Sequence, residues 1–447
     1  MYLGPISVGV DLAGVLAYCA GCKWPSGRSR MDLLVMSMSS PLLHNRDFVL
    51  YLILRVCLSL AVTSLAVAVG WHIYEATGSA LDLALIGLTQ ILPIWALFLV
   101  SGWVVDHAPR RRVLKVTIIT QLLVYLLLAY WLRDGVSDIN VIYALLLLNS
   151  CARAFVGPAI QSMLPGLVPK EQLSHAVSVS STVWTTAMTA GPFMAGYLVS
   201  WFDIQVYWII AGIMVLAFIA VVAIREPKTV KSTRREWRDV VLGIAFVWRN
   251  PYVFPSITVD LFAIMLGSVM VLLPIFAMDI LQVGPEGLGY LRAMPALGSV
   301  LAGSFIARFG YGGHAGRALF GALLVFSLSI LVFGLSDTYW LSLAALFVYG
   351  AADMVSVILR TSIIHLATPD ALRGRVNAVN SLFIASSNEL GDLRGGVSAA
   401  WLGVVPAVVT GALCTVGVSV WAWWRSKELR ALTSPEDMPE IEDPGWR

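Results

Sequence analysis

The sequence predicts an all-α, polytopic membrane protein with 12 transmembrane helices, arranged as two pseudo-symmetric halves of six helices each. Of its 447 residues, 58% are hydrophobic and only 13% are charged, whereas average soluble proteins have about 45–50% apolar and about 25% charged residues. Apolar stretches of about 20 residues, the length that crosses a bilayer, alternate with short polar breaks. This composition excludes a disordered chain and argues strongly against a soluble enzyme.

The predicted spans follow directly from these apolar stretches. Gly and Pro occur inside several of them, and membrane helices tolerate both residues better than soluble helices do. We therefore interpret these interruptions as features within spans rather than as ends of spans. The predicted spans are 47–73, 82–104, 114–132, 139–163, 174–201, 205–224, 252–279, 286–308, 318–336, 339–366, 374–401 and 404–424.

The placement of Lys and Arg predicts the orientation of the chain. The breaks after the even-numbered spans, together with the long central break, contain 16 basic residues, whereas the opposite breaks contain Arg133 alone. Cytoplasmic loops are enriched in Lys and Arg, so we expect both termini in the cytosol. The 16 residues are Arg110, Arg111, Arg112, Lys115, Lys170, Arg225, Lys228, Lys231, Arg234, Arg235, Arg238, Arg249, Arg308, Arg317, Arg373 and Arg375.

The basic central break divides the chain into two halves. Its second part fits a basic amphipathic helix on the inner membrane surface, and a solvated linker is the alternative interpretation. The expected segments are a poorly ordered cytosolic extension at 1–45, an N-terminal half at 46–224, a cytosolic linker at 225–251, a C-terminal half at 252–425 and a cytosolic tail at 426–447.

The two halves also repeat each other at an offset of about 200 residues. Gly191 aligns with Gly391 and Gly196 aligns with Gly396, within longer stretches of similar sequence. A parallel repeat of this kind predicts two like-built bundles with a substrate path between them.

The break between spans two and three has the sequence GWVVDHAPRRR at residues 102–112. It resembles the signature of the major facilitator superfamily, G-x-x-x-D-x-x-x-R-[RK]-x-[RK]. Gly102 permits close helix approach, and Asp106 can accept hydrogen bonds from a helix N-terminus in the other half. The resemblance implies a cluster that holds the halves together on the inside, and an arginine cluster that only sets topology is the alternative. The second half has Ala307 in place of the aspartate. The arginines of the motif are Arg110, Arg111 and Arg112.

The resemblance covers residues 42–430 and extends to the branch that contains the enterobactin exporter and related bacterial efflux proteins. It implies the major facilitator fold, a small-molecule substrate and protons as the coupling ion. It also implies a multi-pass, monomeric protein of the bacterial inner membrane without cofactor, metal or nucleic acid. The stretches that carry the branch resemblance are 68–74, 259–262, 273–277, 373–376 and 386–391.

Span five contains Gly191, Pro192 and Gly196, which are similar to the family's antiporter motif G-x-x-x-G-P-x-x-G-G with Ala at two glycine positions. Small residues spaced by four allow membrane helices to touch closely. Ordinary helix packing explains the motif equally simply, but within the superfamily the motif favours export.

Several charged residues lie inside predicted spans. Arg153 precedes Gly157 by four residues, and the repeat places Asp353 at the matching position of span ten. Charged residues within a membrane usually face a partner or a water-filled cavity. Arg153 and Asp353 could therefore form one polar site, or they could take part in purely structural ion pairs.

Further charges are Asp260 in span seven, Arg292 in span eight and Glu389 in span eleven. A carboxyl group can avoid carrying charge in a low dielectric by taking up a proton. Asp260, Asp353 and Glu389 are therefore candidates for a proton site. We expect three other arginines to extend toward the membrane interface. They are Arg55, Arg360 and Arg394.

These observations predict a proton-coupled exporter of a small amphiphilic molecule, either a siderophore or a drug-like compound, that works by alternating access. An importer of a small nutrient on the same fold is the alternative. The six histidines lack an H-E-x-x-H spacing, and no G-x-x-x-x-G-K-[ST] sequence occurs. Nothing therefore indicates a metalloenzyme or an ATP-driven pump.

Overall fold

The computed structural model describes residues 41–136, 138–225, 244–310 and 313–433. Within them, 12 long helices follow one another along the chain. Their bounds are α1 Arg46–Thr77, α2 Ala80–His107, α3 Arg110–Trp131, α4 Ile139–Met163, α5 Leu173–Phe202, α6 Val206–Ala223, α7 Val253–Gly267, α8 Gly284–Phe309, α9 Ala315–Leu335, α10 Tyr339–Ala367, α11 Asp370–Leu402 and α12 Val404–Arg425.

Local sequence fixes several helix ends. The side chain of Asn45 accepts hydrogen bonds from the main-chain N–H groups of Asp47 and Phe48 at 3.1 and 3.4 Å, which caps α1. Gly78 ends the same helix with φ of 59°, a left-handed conformation that glycine adopts without steric penalty. Asp138 caps α4 by accepting from the N–H of Asn140 at 2.9 Å. These polar residues occupy the breaks between apolar stretches, so helix ends and span ends coincide.

Ten described segments are long and apolar enough to cross a membrane. One of them, Lys170–Ala223, contains both α5 and α6. The remaining long helix, α11, is not among the ten because acidic and basic residues interrupt it. The predicted all-helical, polytopic fold is thus confirmed, and the most polar helix is one that faces the other half of the protein.

Span seven differs from the prediction of one uninterrupted helix. The main chain leaves the α-helix after Gly267, Ser268 is extended with ψ of 130°, and short helical turns continue from Met270 to Ile280. Inside a membrane such a break is tolerated only where the freed main-chain groups find partners. Here Arg394 donates a hydrogen bond to the carbonyl oxygen of Ser268 at 3.4 Å.

The two halves repeat each other in their packing. Within the N-terminal half α1 packs on α5 and α6, α2 packs on α4, and α3 packs on α4 and α6. The C-terminal half has the same pairs six helices later, namely α7 with α11 and α12, α8 with α10, and α9 with α10 and α12. Between the halves α5 packs on α8, and α2 packs on α11. These two contacts are equivalent, because α5 corresponds to α11 and α2 corresponds to α8 in the repeat. The predicted pair of pseudo-symmetric six-helix bundles is confirmed.

The bundle has two chemically different ends. We call the end where α1 begins and α2 ends the basic end, because Arg110, Arg111 and Arg112 lie there, and we call the opposite end the acidic end. Acidic residues mark the second end where helices start or finish. They are Glu75, Asp82, Asp134, Asp203, Asp279, Glu286 and Asp337.

The segments outside the helical halves are only partly described. Residues 1–40 of the expected extension and residues 226–243 of the expected linker lie outside the described part of the chain, and residues 244–249 are helical. The tail begins with a short helix, α13 at Lys427–Ala431. Thr433 then accepts a hydrogen bond from the N–H of Ala315 at 2.9 Å, so the tail packs on the first turn of α9.

Candidate functional site

One close contact between the two halves lies where α5 crosses α8 near the acidic end. A Cβ atom at Gly196 would lie 2.7 Å from the carbonyl oxygen of Pro285 and 2.9 Å from the Cα of Gly289. Next to this contact the hydroxyls of Tyr197 and Tyr290 are hydrogen-bonded at 2.7 Å. Absence of side chains at both glycines therefore lets two main chains from opposite halves meet.

The antiporter-like motif is divided between two surfaces. A Cβ atom at Gly191 would collide with the Thr63 hydroxyl of α1, inside the N-terminal half. Pro192 and Gly196 instead face the other half, because a Cβ atom at Gly289 would lie 2.8 Å from the carbonyl oxygen of Pro192. The motif thus packs α5 against both of its neighbours.

The second contact between the halves joins α2 to α11. A Cβ atom at Gly396 would lie 2.8 Å from the carbonyl oxygen of Ala80. Nearer the middle of the bundle, the indole N–H of Trp95 donates to Ser386 Oγ at 2.9 Å. We call the α5–α8 and α2–α11 contacts together the seam.

The signature turn lies at the basic end, between α2 and α3. A Cβ atom at Gly102 would meet open space, and Asp106 is exposed. Arg111 donates from Nε to the carbonyl oxygen of Val221 at 3.2 Å and makes a further hydrogen bond to that of Val222. These oxygens end α6, and a cation is favourable at a helix C-terminus. The arginine thus binds its own half, and the role of this turn between the halves stays a prediction.

A cavity of about 170 Å³ lies between the halves. Helices α1, α2 and α4 line it on one side, and α8, α11 and the segment after α7 line it on the other. Ligand sites for drug-sized molecules span about 300–1,000 Å³, so a larger solute requires the halves to move apart. The charged lining residues are Arg153, Arg292, Glu389 and Asp392.

Arg153 enters this cavity from α4 of the N-terminal half. Its guanidinium donates to Gln90 Oε1 at 2.8 Å, and Glu389 lies within its electrostatic field. The sequence suggested Asp353 as the partner of Arg153, but Asp353 lies inside the C-terminal half, near Asp260 and Ser356. Pairing by symmetry fails here because Arg153 lines the cavity between the halves, whereas Asp353 lies among residues of its own half.

Arg292 and Asp392 complete the charged lining from the C-terminal half. Asp392 accepts a hydrogen bond from Ser268 Oγ at 2.6 Å and feels the charge of Arg292. Arg292 lies against the main chain of α1, because a Cβ atom at Gly70 would be 3.3 Å from its Nη2. The charges of this cavity therefore come from both halves.

Arg153, Arg292 and Glu389 were predicted from the sequence as site residues, whereas Gln90, Asn149 and Asp392 were not. All six line the central cavity. The sequence could have indicated these three residues, because Gln90 and Asn149 are amides, and Asp392 is a second carboxylate, within otherwise apolar spans. A polar side chain in a membrane helix normally faces a partner or water.

A second charged cluster is enclosed in the C-terminal half. Asp260 and Arg360 are each only 2% exposed and form an ion pair, and Ser356 Oγ donates to Asp260 at 3.2 Å. Asp353 lies beside them in the same half. The expectation that Arg360 extends to the interface is wrong, because the carboxylate of Asp260 holds it inside the bundle.

The two other arginines also find polar partners. Arg55 donates to Ser180 Oγ at 2.8 Å and lies 5.7 Å from the centre of the Trp184 ring, which ties α1 to α5. Arg394 binds the carbonyl oxygen of Ser268, as described above. Neither contact fits a side chain that simply extends toward the interface.

A cluster of possible cation ligands lies at the acidic end. The ligand atoms of His72, Glu75 and Asp203 all lie within 4.8 Å of one another. His72 Nε2 is 3.1 Å from Asp203 Oδ1, and its Nδ1 is 3.1 Å from the Tyr207 hydroxyl. These contacts already explain the group as a link from α1 to the turn between α5 and α6. Spacing in the sequence gave no sign of it because Asp203 is distant along the chain.

Comparison with known proteins agrees with this architecture. The family model described as Major Facilitator Superfamily matches residues 51–391. The chain is 27% identical over 350 residues to the multidrug efflux pump Tap of Mycolicibacterium fortuitum, covering 74% of this chain and 83% of that protein. It is 24% identical over 343 residues to the enterobactin exporter EntS of Shigella boydii serotype 4 (strain Sb227), covering 75% and 82%.

Among solved structures, a bacterial homologue of the human lysosomal transporter Spinster, in an inward-facing and unoccupied conformation, aligns with a TM-score of 0.66 at 14% identity. The alignment covers 88% of this chain and 98% of that one, which supports a common fold. Since the family model spans most of the sequence, the chain is a multi-pass membrane protein that belongs to the Major Facilitator Superfamily of transporters.

Proposed function

We propose that this protein exports a small amphiphilic molecule, a siderophore or a drug-like compound, by alternating access in exchange for protons. The observation that carries the proposal is the cavity between the halves, where Arg153, Arg292, Glu389 and Asp392 meet an apolar wall from α1. Charged groups are expensive in a membrane and are kept where they bind a solute or an ion.

Alternating access requires a closed end and an open end. The contacts at Gly196, Gly289 and Gly396 bring the halves together toward the acidic end, whereas Gly102 faces open space at the basic end. Given the distribution of Lys and Arg, we place the basic end and both termini in the cytosol of a bacterial cell. In this proposal the described conformation is open to the inside.

The proposed role of the signature turn follows from the same picture. When the acidic end opens, the basic end must close, and Asp106 would then reach the N-terminus of α11 across the seam. Arg112 would approach carboxylates of the other half at the same time, while Arg111 remains on α6.

Proton exchange is assigned to carboxyl groups inside the bundle, with Asp260, Asp353 and Glu389 as candidates. Glu389 shares the central cavity with the solute, so a proton and a cationic solute group would compete for the same oxygen atoms. Asp260 already pairs with Arg360, and Asp353 lies beside that pair. This supports Glu389 as the group at which solute and proton exchange.

The names of two similar proteins favour export over import. Tap is an efflux pump and EntS is an exporter, and the motif at Gly191, Pro192 and Gly196 favours the same direction within the superfamily. The importer interpretation makes the opposite prediction in vesicles, so one experiment separates the two.

The test uses everted membrane vesicles with an imposed, acidic-inside pH gradient and a panel of catecholate siderophores, macrolides and fluoroquinolones. An exporter should accumulate at least one compound and release protons as it does so. Glu389→Gln should remove the proton release, and Glu171→Gln, an exposed carboxylate outside the cavity, should not. Accumulation only in right-side-out vesicles with an acidic outside would show an importer. Solute movement without protons would refute the coupling.

A further inference from the structure

The four charged side chains that line the central cavity do not form ion pairs with one another. Ion pairs within 4.0 Å among the described residues join His72 to Asp203, Arg133 to Asp134 and Arg360 to Asp260. Two of the cavity residues form hydrogen bonds with uncharged side chains instead. Arg153 donates to Gln90, and Asp392 accepts from Ser268. Both signs of charge therefore remain available to an occupant.

One donor of a cavity-lining residue has no hydrogen-bond partner in the described part of the chain. Arg292 Nε is buried and has no hydrogen-bond partner among the described residues. A buried donor without a partner is unfavourable, and Asp392 affects Arg292 only through its electrostatic field. A solute with an anionic acceptor would complete the coordination of this guanidinium.

A free acceptor lies in the same cavity. Glu389 is held in the fields of Arg153 and Asp392, and no hydrogen bond to its carboxylate is seen within the described part of the chain. Since Asp392 carries the same charge, the two carboxylates together favour a cation beside Glu389. A solute with a protonated amine would supply that cation.

We propose that the exported solute is a zwitterion, with a carboxylate bound between Arg153 and Arg292 and a protonated amine bound to Glu389. This narrows the proposed function and rests on it. A purely cationic solute would leave the Arg292 donor unused, and a purely anionic one would leave Glu389 facing Asp392. The apolar body of the solute lies against α1. The α1 residues that line the cavity are Val62, Leu65, Ala66 and Val69.

The test uses a matched set of three probes on one scaffold, bound to the purified full-length protein in lipid nanodiscs. Ciprofloxacin is the zwitterion, its methyl ester keeps only the cation, and its N-acetyl derivative keeps only the anion. Because each blocked compound loses one charge-assisted hydrogen bond, the zwitterion should bind about 10- to 100-fold more tightly than either.

Variants assign the two charges to their residues. Arg292→Gln should lower the affinity for ciprofloxacin to that for the ester, and Glu389→Gln should lower it to that for the N-acetyl compound. Arg308→Gln, on the exposed end of the same helix as Arg292, should leave all three affinities unchanged.

Equal binding of the three probes, or binding of none, overturns the zwitterion proposal. An equal loss for all three in Arg292→Gln overturns it as well, since that result indicates a structural role. The proposed function fails separately, if no compound of the vesicle panel moves against its gradient.

Discussion

Substituting Gly196 by Ala should open the acidic end of the transporter. The new Cβ atom would lie 2.7 Å from the carbonyl oxygen of Pro285 and 2.9 Å from the Cα of Gly289, and both are main-chain atoms that cannot rotate away. The halves must therefore separate at this contact. Separation at the acidic end is also the movement that alternating access requires, so the variant should populate the conformation open at that end.

The size of the shift follows from the cost of overpacking. Inserting a methyl group into a tightly packed contact costs about 1–3 kcal/mol. Since about 1.4 kcal/mol corresponds to a tenfold change in an equilibrium constant, the ratio of the two conformations should change about 5- to 150-fold. Such a change converts a minor conformation into a readily detected one.

The shift can be measured by pulsed electron–electron double resonance. Spin labels at Asp134→Cys and Asp337→Cys, in a background without the native cysteines, report the distance between exposed turns of the two halves at the acidic end. Gly196→Ala should increase the population at long distance.

Gly212→Ala is the matched control for that measurement. A Cβ atom at Gly212 meets nothing within 4 Å, and both substitutions bring the same helix stabilisation of about 0.5–1 kcal/mol. If the two variants give the same distance distribution, the glycine contact does not control opening of the seam and our reasoning is refuted.

Three other substitutions test separate parts of the structure. Asp260→Asn should lower the free energy of unfolding by about 3–5 kcal/mol because it leaves Arg360 buried without its charge partner. Thermal unfolding in detergent measures this loss. Adding Arg360→Met to the variant should restore part of the lost stability. Asp106→Asn should impair transport in vesicles while membrane insertion stays normal. Full transport by this variant would exclude the role that we propose for the signature turn. Tyr197→Phe removes the hydrogen bond to Tyr290 across the seam. The same spin labels should therefore show a smaller opening than Gly196→Ala causes, and no opening at all would contradict the assignment.

The helices and the two halves were predictable because their signals are local or periodic. A span needs only enough consecutive apolar residues, and the repeat of Gly196 at Gly396 reflects equivalent positions on the two seam helices. The break at Ser268 was not predictable from hydropathy, because its surroundings are uniformly apolar. It depends on Arg394, which is far away in the sequence.

The polar sites were predictable as residue types but not as pairs. Arg153, Arg292 and Glu389 are conspicuous in apolar spans, and the structure brings all three to one cavity. The partner of Arg360 could not be identified, since Asp260 lies on a different helix and several other carboxylates were available. Which charges meet is decided by helix rotation within each bundle, and a hydropathy pattern does not contain that information.

Charges and close contacts occupy neighbouring turns of the same two helices. On α8, Arg292 follows Gly289 by three residues, and on α11, Asp392 precedes Gly396 by four. Residues three or four apart lie one above the other on a helix face. A solute that draws Arg292 toward itself therefore acts about one turn away from the point where the main chains of the two halves touch.

Because cavity residues and seam contacts share these helices, a coupling between them would need no long pathway. Ser268 adds a third connection, since its hydroxyl binds Asp392 and its carbonyl oxygen binds Arg394, both on α11. Any movement of the α7 break is thus transmitted to a helix that both lines the cavity and forms the seam. Binding of solute or proton at Glu389, as we propose, would change the charge on that same helix. We therefore expect α11 to be the element through which occupancy of the cavity alters the contact between the halves.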